Sequence, residues 1–179
     1  YLAEFLSDRR VVELPPILWQ PILRGVILRT RPKRSAHAYG QIWSDEGSPL
    51  AVITRAQAAA LAERFGGAVL IDHAMRYGAP AIGERLAAMK AAGCDRILLA
   101  PLYPQYSATP TATACDVAFD ALKRMRRQPA LRVLPAYFAD PPYIQAIADS
   151  IRAGIAALPF TPERVVASFH GLPRAYVAK

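Results

Sequence analysis

Residues 79–135 read APAIGERLAAMKAAGCDRILLAPLYPQYSATPTATACDVAFDALKRMRRQPALRVLP, and their alternation decides the fold. Ala79–Ala92 has helical apolar spacing and is closed by Gly93, and Arg96–Leu102 is a short run rich in Ile and Leu. Thr111–Arg126 reads as a helix again, and Leu131–Pro135 as another strand. Working outward, Ala68–Ala74 is a short apolar strand on the N-terminal side. On the C-terminal side, Pro142–Leu158 is a helix with Ile144, Ile147, Ile151 and Ile155 on one stripe, and Arg164–Phe169 is a further strand. Short, largely apolar strands alternating with helices predict an α/β fold: a parallel sheet with helices on both faces.

The first part of the chain is more helical. Tyr1–Leu6 reads as the end of a helix, closed by Ser7-Asp8-Arg9-Arg10, and Val11–Pro16 as a proline-bounded linker. Ile17–Ile42 is mostly helical, with Pro21 and Pro32 expected to break it. Ser48-Pro49 has the pattern of an N-cap followed by proline at the first helical position, and the alanine-rich Leu50–Phe65 runs from it to Gly66-Gly67.

Composition narrows the class. The 179 residues are 53% hydrophobic and 20% charged, too apolar for a disordered tail. Mean hydropathy is +0.14, and no run approaches the roughly 18–20 apolar residues of a membrane span. Two cysteines, Cys94 and Cys115, are too few for a disulfide framework and fit a reducing cytoplasm. The chain opens at Tyr1 without methionine and stops at Lys179, which reads as a fragment, so the lack of a leader proves little. The net charge of +8 suits nucleic acid, an anionic membrane face or an acidic small molecule. It is concentrated at Arg24–Arg34 and Lys123–Arg127, neither with the interleaved aromatics of a single-strand binder, and either cluster could be a solvated helix face.

Ligands of open parallel sheets bind at the carboxyl ends of the strands. The exits here are Met75-Arg76-Tyr77-Gly78, Tyr103-Pro104-Gln105-Tyr106-Ser107, Ala136-Tyr137-Phe138 and His170-Gly171-Leu172-Pro173. No glycine-rich phosphate cradle is among them, so a nucleotide site is unsupported. Aromatics with a basic residue better suit a flat, apolar ligand carrying a few anionic groups. His170, between an apolar strand and a tight turn, could take a proton or bind a metal near neutral pH, although a single histidine beside a strand is more often structural. His37 and His73 have no ligand-like neighbours in sequence. Arg76-Tyr77 could equally be a buried arginine paired with a carboxylate beside a core tyrosine, and Tyr103 and Tyr106 ordinary packing residues. Asp140 reads as a helix cap before Pro141-Pro142.

Ser168-Phe169-His170-Gly171-Leu172-Pro173 resembles the histidine motif of the ferrochelatase family, and Leu102-Tyr103-Pro104-Gln105-Tyr106-Ser107 resembles its tyrosine-proline loop. Met75-Arg76-Tyr77-Gly78, Gly47-Ser48-Pro49 and Phe5-Leu6-Ser7-Asp8 are similar to further family segments in the family's order, most closely in proteobacterial members. The resemblance covers nearly the whole chain. It implies insertion of Fe(II) into protoporphyrin IX to form protohaem, the last step of haem synthesis. It further implies two Rossmann-like domains around a porphyrin cleft. Residues 1–179 would be most of the first domain, lacking its opening strand, and the second domain, with the glutamate that partners the histidine, would lie outside this chain.

By the same resemblance His170 is the catalytic residue, either accepting a pyrrole proton or coordinating Fe(II). Arg76 and Tyr77 line the metal side of the cleft, and Tyr103, Ser107 and Thr109 the opposing wall. Arg29, Arg31 and Lys33 face the porphyrin propionates, and Ser48 belongs to the porphyrin-binding set. Two departures stand out: Pro110 replaces a hydroxyl residue, and Ala108 stands where animal enzymes with an iron–sulfur cluster have cysteine. No such cluster is expected, and no cofactor beyond the substrate iron. The implied setting is the cytoplasm with peripheral contact to the inner membrane, although no amphipathic anchor is evident. The competing readings are a chelatase for coproporphyrin III or a cobalt-binding tetrapyrrole, a non-catalytic porphyrin or haem carrier, and a basic nucleic-acid-binding domain.

Overall fold

Ile82, Leu86, Ile97, Ala114 and Ala118 form the core, and three elements meet there. The computed structural model describes residues 1–177. In chain order these form α1 (Leu2–Ser7), α2 (Pro16–Ile22), α3 (Leu28–Gly40), α4 (Pro49–Phe65), α5 (Ile82–Ala91), β1 (Arg96–Leu99), α6 (Thr113–Lys123), β2 (Ala130–Val133), α7 (Pro141–Ala156) and α8 (Arg174–Val177). Single π-helical turns precede α3, at Leu23–Ile27, and α6, at Ala108–Ala112.

The β1–α6–β2 unit is the predicted α/β element. β1 and β2 pair in parallel, Arg96 with Ala130 through Leu99 with Val133. Backbone bonds from Ala130 N–H to the Asp95 carbonyl (2.7 Å) and from Leu134 N–H to the Leu99 carbonyl (2.9 Å) extend the ladder at both ends. The α6 crossover presents Ala114, Ala118 and Leu122 at four-residue steps, all buried, the spacing that puts side chains on one helix face. Ala118 is 0% exposed, and its small side chain lets α6 lie close to Ile82 and Leu86 of α5 and Ile97 of β1.

Local signals hold where they are strong. Ser48 caps α4, its Oγ accepting from Ala51 N–H at 3.2 Å, with Pro49 at the first helical position. Gly66 ends α4 with φ 54° in the left-handed region, where a side chain would be strained. Asp140 occupies the N-cap position of α7, but its side chain makes no capping bond.

Three expectations are corrected. Pro21 and Pro32 do not break the chain: Pro16–Gly40 runs helical throughout, with both prolines inside helices. The π-turn between them shifts the hydrogen-bond register, with Leu28 N–H reaching the Leu23 carbonyl. Ala68–Ala74 is not a strand; the chain there makes no ladder, and only Met75 bridges to Ala81 just beyond it. Arg164–Phe169 is likewise irregular, with Val166 88% and Phe169 85% exposed. Both segments are apolar enough to be strands, but a strand exists only with a hydrogen-bonded neighbour, and among the described residues none lies alongside. The sheet is correspondingly small: Ile97 faces the core, while Leu98 on the opposite face is 61% exposed. The stripe Ile144, Ile147, Ile151 and Ile155 of α7 is also exposed.

Truncating the core where α5 meets α6 should be costly. Leu86→Ala, at a 4% exposed side chain, should lower the unfolding free energy by about 2–5 kcal/mol in urea titrations.

Candidate active site

The residues 68–74 lead into Arg76 and Tyr77, and α1 lies against that turn. Arg76 is 13% exposed at its side chain and bonds through Nη2 to Asp8 Oδ2, itself 14% exposed; Glu4 Oε1 is 3.9 Å from Nη1. The guanidinium carbon sits 4.1 Å from the centre of the Tyr77 ring, a cation–π contact. The Tyr77 hydroxyl donates to the same Asp8 Oδ2 at 3.2 Å. Arg76 is thus the partly buried arginine paired with a carboxylate that its sequence context allowed, and Asp8 is the carboxylate.

Aromatic rings surround this pair. Phe5 meets Tyr77 edge-on at 5.3 Å, and Tyr1 stacks on Phe5 at 6.0 Å. Tyr1 also touches Tyr77 and Tyr39 edge-on, at 6.1 and 6.2 Å, the geometry favoured by ring quadrupoles. Burial pushes the Tyr1 phenol up to about 12, with the hydrogen bond it donates to Tyr39 and the charges of Tyr39 and Tyr103 adding to it. Burial likewise raises Tyr77 to about 12; Arg76 opposes this and Asp8 adds to it. Both phenols therefore stay neutral hydrogen-bonding groups well above neutral pH.

A second pair links the start of the chain to α6. Arg10 bonds to Asp116 through Nε to Oδ2 and through Nη2 to Oδ1 at 3.1 Å, which pushes Arg10 above its ordinary value. The Arg10 carbonyl accepts from Thr109 Oγ1 at 3.3 Å, and Ser107 Oγ accepts from Thr109 N–H at 3.4 Å. Both hydroxyl residues of the predicted wall are thereby engaged in holding the loop before α6. A cavity of about 400 Å³ opens beside them, between Tyr103, Tyr106, Phe119 and Leu134, with Arg10 and Asp116 at its polar end. It lies at the carboxyl ends of β1 and β2, where parallel sheets place ligands. Cys115 lines it too, its thiol pushed up by burial and by Asp116.

Other predicted site residues stand apart. His170 lies in the irregular segment after residue 163, exposed and without a hydrogen bond to Arg76, Tyr77 or any other described residue. Arg29, Arg31 and Lys33 are exposed along α3, and the Ser48 hydroxyl oxygen is occupied by the α4 cap. Among the described residues, no three His, Cys, Asp or Glu side chains form a set able to hold a metal ion, and no helix is long and apolar enough to cross a membrane. Tyr1, Arg10 and Asp116 were not legible as site residues. Arg10 and Asp116 are 106 residues apart, and neither carries a local motif.

The chain has an α/β fold with a small parallel sheet, and aromatic and cationic side chains gather beside its strand exits. The Ferrochelatase family model matches residues 1–179. Curated relatives named Ferrochelatase include those of Nitrobacter hamburgensis (55% identical), Rhizobium meliloti (54%) and Bradyrhizobium diazoefficiens (53%). In each comparison all of this chain is covered, together with 53%, 54% and 53% of the relative. The chain belongs to the ferrochelatase family, and it spans about half the length of the curated relatives it matches.

Two measurements test the geometry. Ser48→Ala should cost about 0.5–2 kcal/mol of stability through loss of the α4 cap, and Ser48→Asp should retain most of it. Because the folded Tyr77 phenol titrates near 12 against an ordinary 10.0, the unfolded chain releases this proton first. Stability from this group should be level below pH 10 and fall as pH rises toward 12, and Tyr77→Phe should make that alkaline fall shallower in urea titrations.

Proposed function

We propose that the whole protein inserts ferrous iron into protoporphyrin IX to give protohaem, the terminal step of haem synthesis, a lyase-type metal chelation. The observation that carries this reading is the Arg76–Tyr77 wall, partly buried and packed among Tyr1, Phe5 and Tyr39, in a chain matched to the family along its full length. A planar macrocycle needs broad apolar contact, and it carries propionates that need cations.

The chemistry sets the roles. As Fe(II) enters, two pyrrole N–H bonds break, the nitrogen pairs bind the metal, and two protons leave. A planar ring resists this because its nitrogen lone pairs lie in the ring plane, so the cleft must distort the ring and receive protons. His170 is assigned as proton acceptor or as ligand to the incoming iron, since a neutral imidazole can do either. Arg76 and Tyr77 line the metal side; Tyr103, Ser107 and Thr109 line the other. Arg29, Arg31 and Lys33 would meet the propionates, and Ser48 adds to the porphyrin-binding set. The partner carboxylate and the second wall would come from the length of the relatives that this chain does not span. These 179 residues alone would therefore turn over poorly.

No cofactor is assigned beyond the substrate iron, and Ala108 gives no thiolate for an iron–sulfur cluster. The proposed setting is the cytoplasm, with peripheral contact to the inner membrane where the hydrophobic substrate and product partition. Nucleic acid is not proposed as a partner.

The test is an anaerobic assay of the full-length protein with Fe(II) and protoporphyrin, following loss of porphyrin fluorescence. Wild type should consume the porphyrin rapidly, and His170→Ala should be slower by about 100-fold or more. Tight porphyrin binding without insertion in either protein would overturn the enzyme and make the same fold a carrier. Insertion into coproporphyrin III in preference would reassign the substrate.

A further inference from the structure

We propose that Asp8 is the positioning residue of this site: its carboxylate sets where Arg76 and Tyr77 stand, and through them how tightly the porphyrin is held. The inference rests on the reading that Arg76 and Tyr77 line the porphyrin cleft.

The bonds converge on one carboxylate. Asp8 follows α1 with an extended backbone, φ −72° and ψ 124°. Its Oδ1 accepts from the Arg10 backbone N–H at 2.9 Å, the local turn that aspartate readily makes. That bond fixes the carboxylate plane and leaves Oδ2 turned to Arg76 Nη2 and the Tyr77 hydroxyl, 68 and 69 residues away in sequence. The phenol proton points at Asp8, and the Tyr77 oxygen also has the Thr113 hydroxyl as a neighbour. Arg76 has no comparable second anchor, with Glu4 at 3.9 Å and half exposed. Its Nε is buried without a hydrogen-bond partner. A guanidinium at 13% exposure that lost Asp8 would be an uncompensated charge and would swing toward water. Glu4 is too loosely placed to prevent that.

The neighbouring residue extends the same device. Arg10 holds Asp116 with its side chain and Thr109 with its carbonyl. Residues 8–10 thus tie the turn bearing Arg76 and the loop before α6 to one short piece of chain.

The experiment is a double-mutant cycle in the full-length protein, with Asp8→Asn, Arg76→Gln and both together. The readouts are the dissociation constant for protoporphyrin by fluorescence titration, kcat, and the melting temperature. Each single variant should weaken porphyrin binding by about tenfold, and the double variant by well under the product of the two, because Asp8 acts through Arg76 as well as through Tyr77. A merely structural role would lower the melting temperature and the active fraction while leaving the dissociation constant of the folded protein unchanged, and that result overturns the proposal. So would multiplying effects in the double variant. Should Asp8→Asn fail to fold, Asp8→Glu keeps the charge and displaces it by one methylene; the same non-additivity with a smaller shift is expected. Unchanged porphyrin binding in Arg76→Gln would instead remove the cleft assignment of Arg76. Weakened binding in Arg76→Gln but not in Asp8→Asn would defeat the positioning role alone.

Discussion

Close approach of α6 to α5 and β1 is the constraint on which the site depends. With Ala118 and Ala114 at the contact, α6 can lie flat against Ile82, Leu86 and Ile97, and its first turn then sits beside the β1 exit. Thr113, fully buried, locks that turn by donating to the Thr109 carbonyl at 2.8 Å and the Pro110 carbonyl at 3.1 Å. The loop carrying Tyr103, Ser107 and Thr109 is therefore placed by packing below it. A larger residue at 118 would lift the helix and move that loop with it.

On this base the polar groups are arranged economically. One carboxylate serves Arg76 and Tyr77, another serves Arg10, and the rings of Tyr1 and Phe5 pack on Tyr77, with Tyr39 against Tyr1. Partial burial suits ion pairs of this kind: a fully exposed pair contributes little, and a fully buried one carries a heavy desolvation cost. The cation–π contact of Arg76 with Tyr77, 4.1 Å from guanidinium carbon to ring centre, also holds together the two side chains that share Asp8.

What was legible in sequence was local. Ser48 with Pro49 announced the start of α4 and Gly66 its end, because a cap and a left-handed glycine act over a few residues. The β1–α6–β2 unit was readable from apolar runs and helix spacing. That Arg76 could be a paired arginine was one of two readings its sequence allowed, but its partner was not legible, since Asp8 is 68 residues distant. Residues 68–74 and 164–169 misled for the same reason: composition reports an affinity for burial, whereas a strand is a relation between two segments. Pro21 and Pro32 misled in the other direction, because their local cost was absorbed by tertiary context and a widened turn.

The uncovered apolar groups have a colloidal consequence. Leu98, Val165, Val166 and Phe169 face water, and extended apolar segments with unpaired backbone are templates for pairing between copies. Mutual repulsion from the net charge of +8 opposes such pairing. That repulsion reaches only about 8–10 Å at ordinary ionic strength and shortens further as salt is added. The isolated chain should therefore be most dispersed at low salt and self-associate as salt rises, the reverse of a protein whose sheet edges are already covered.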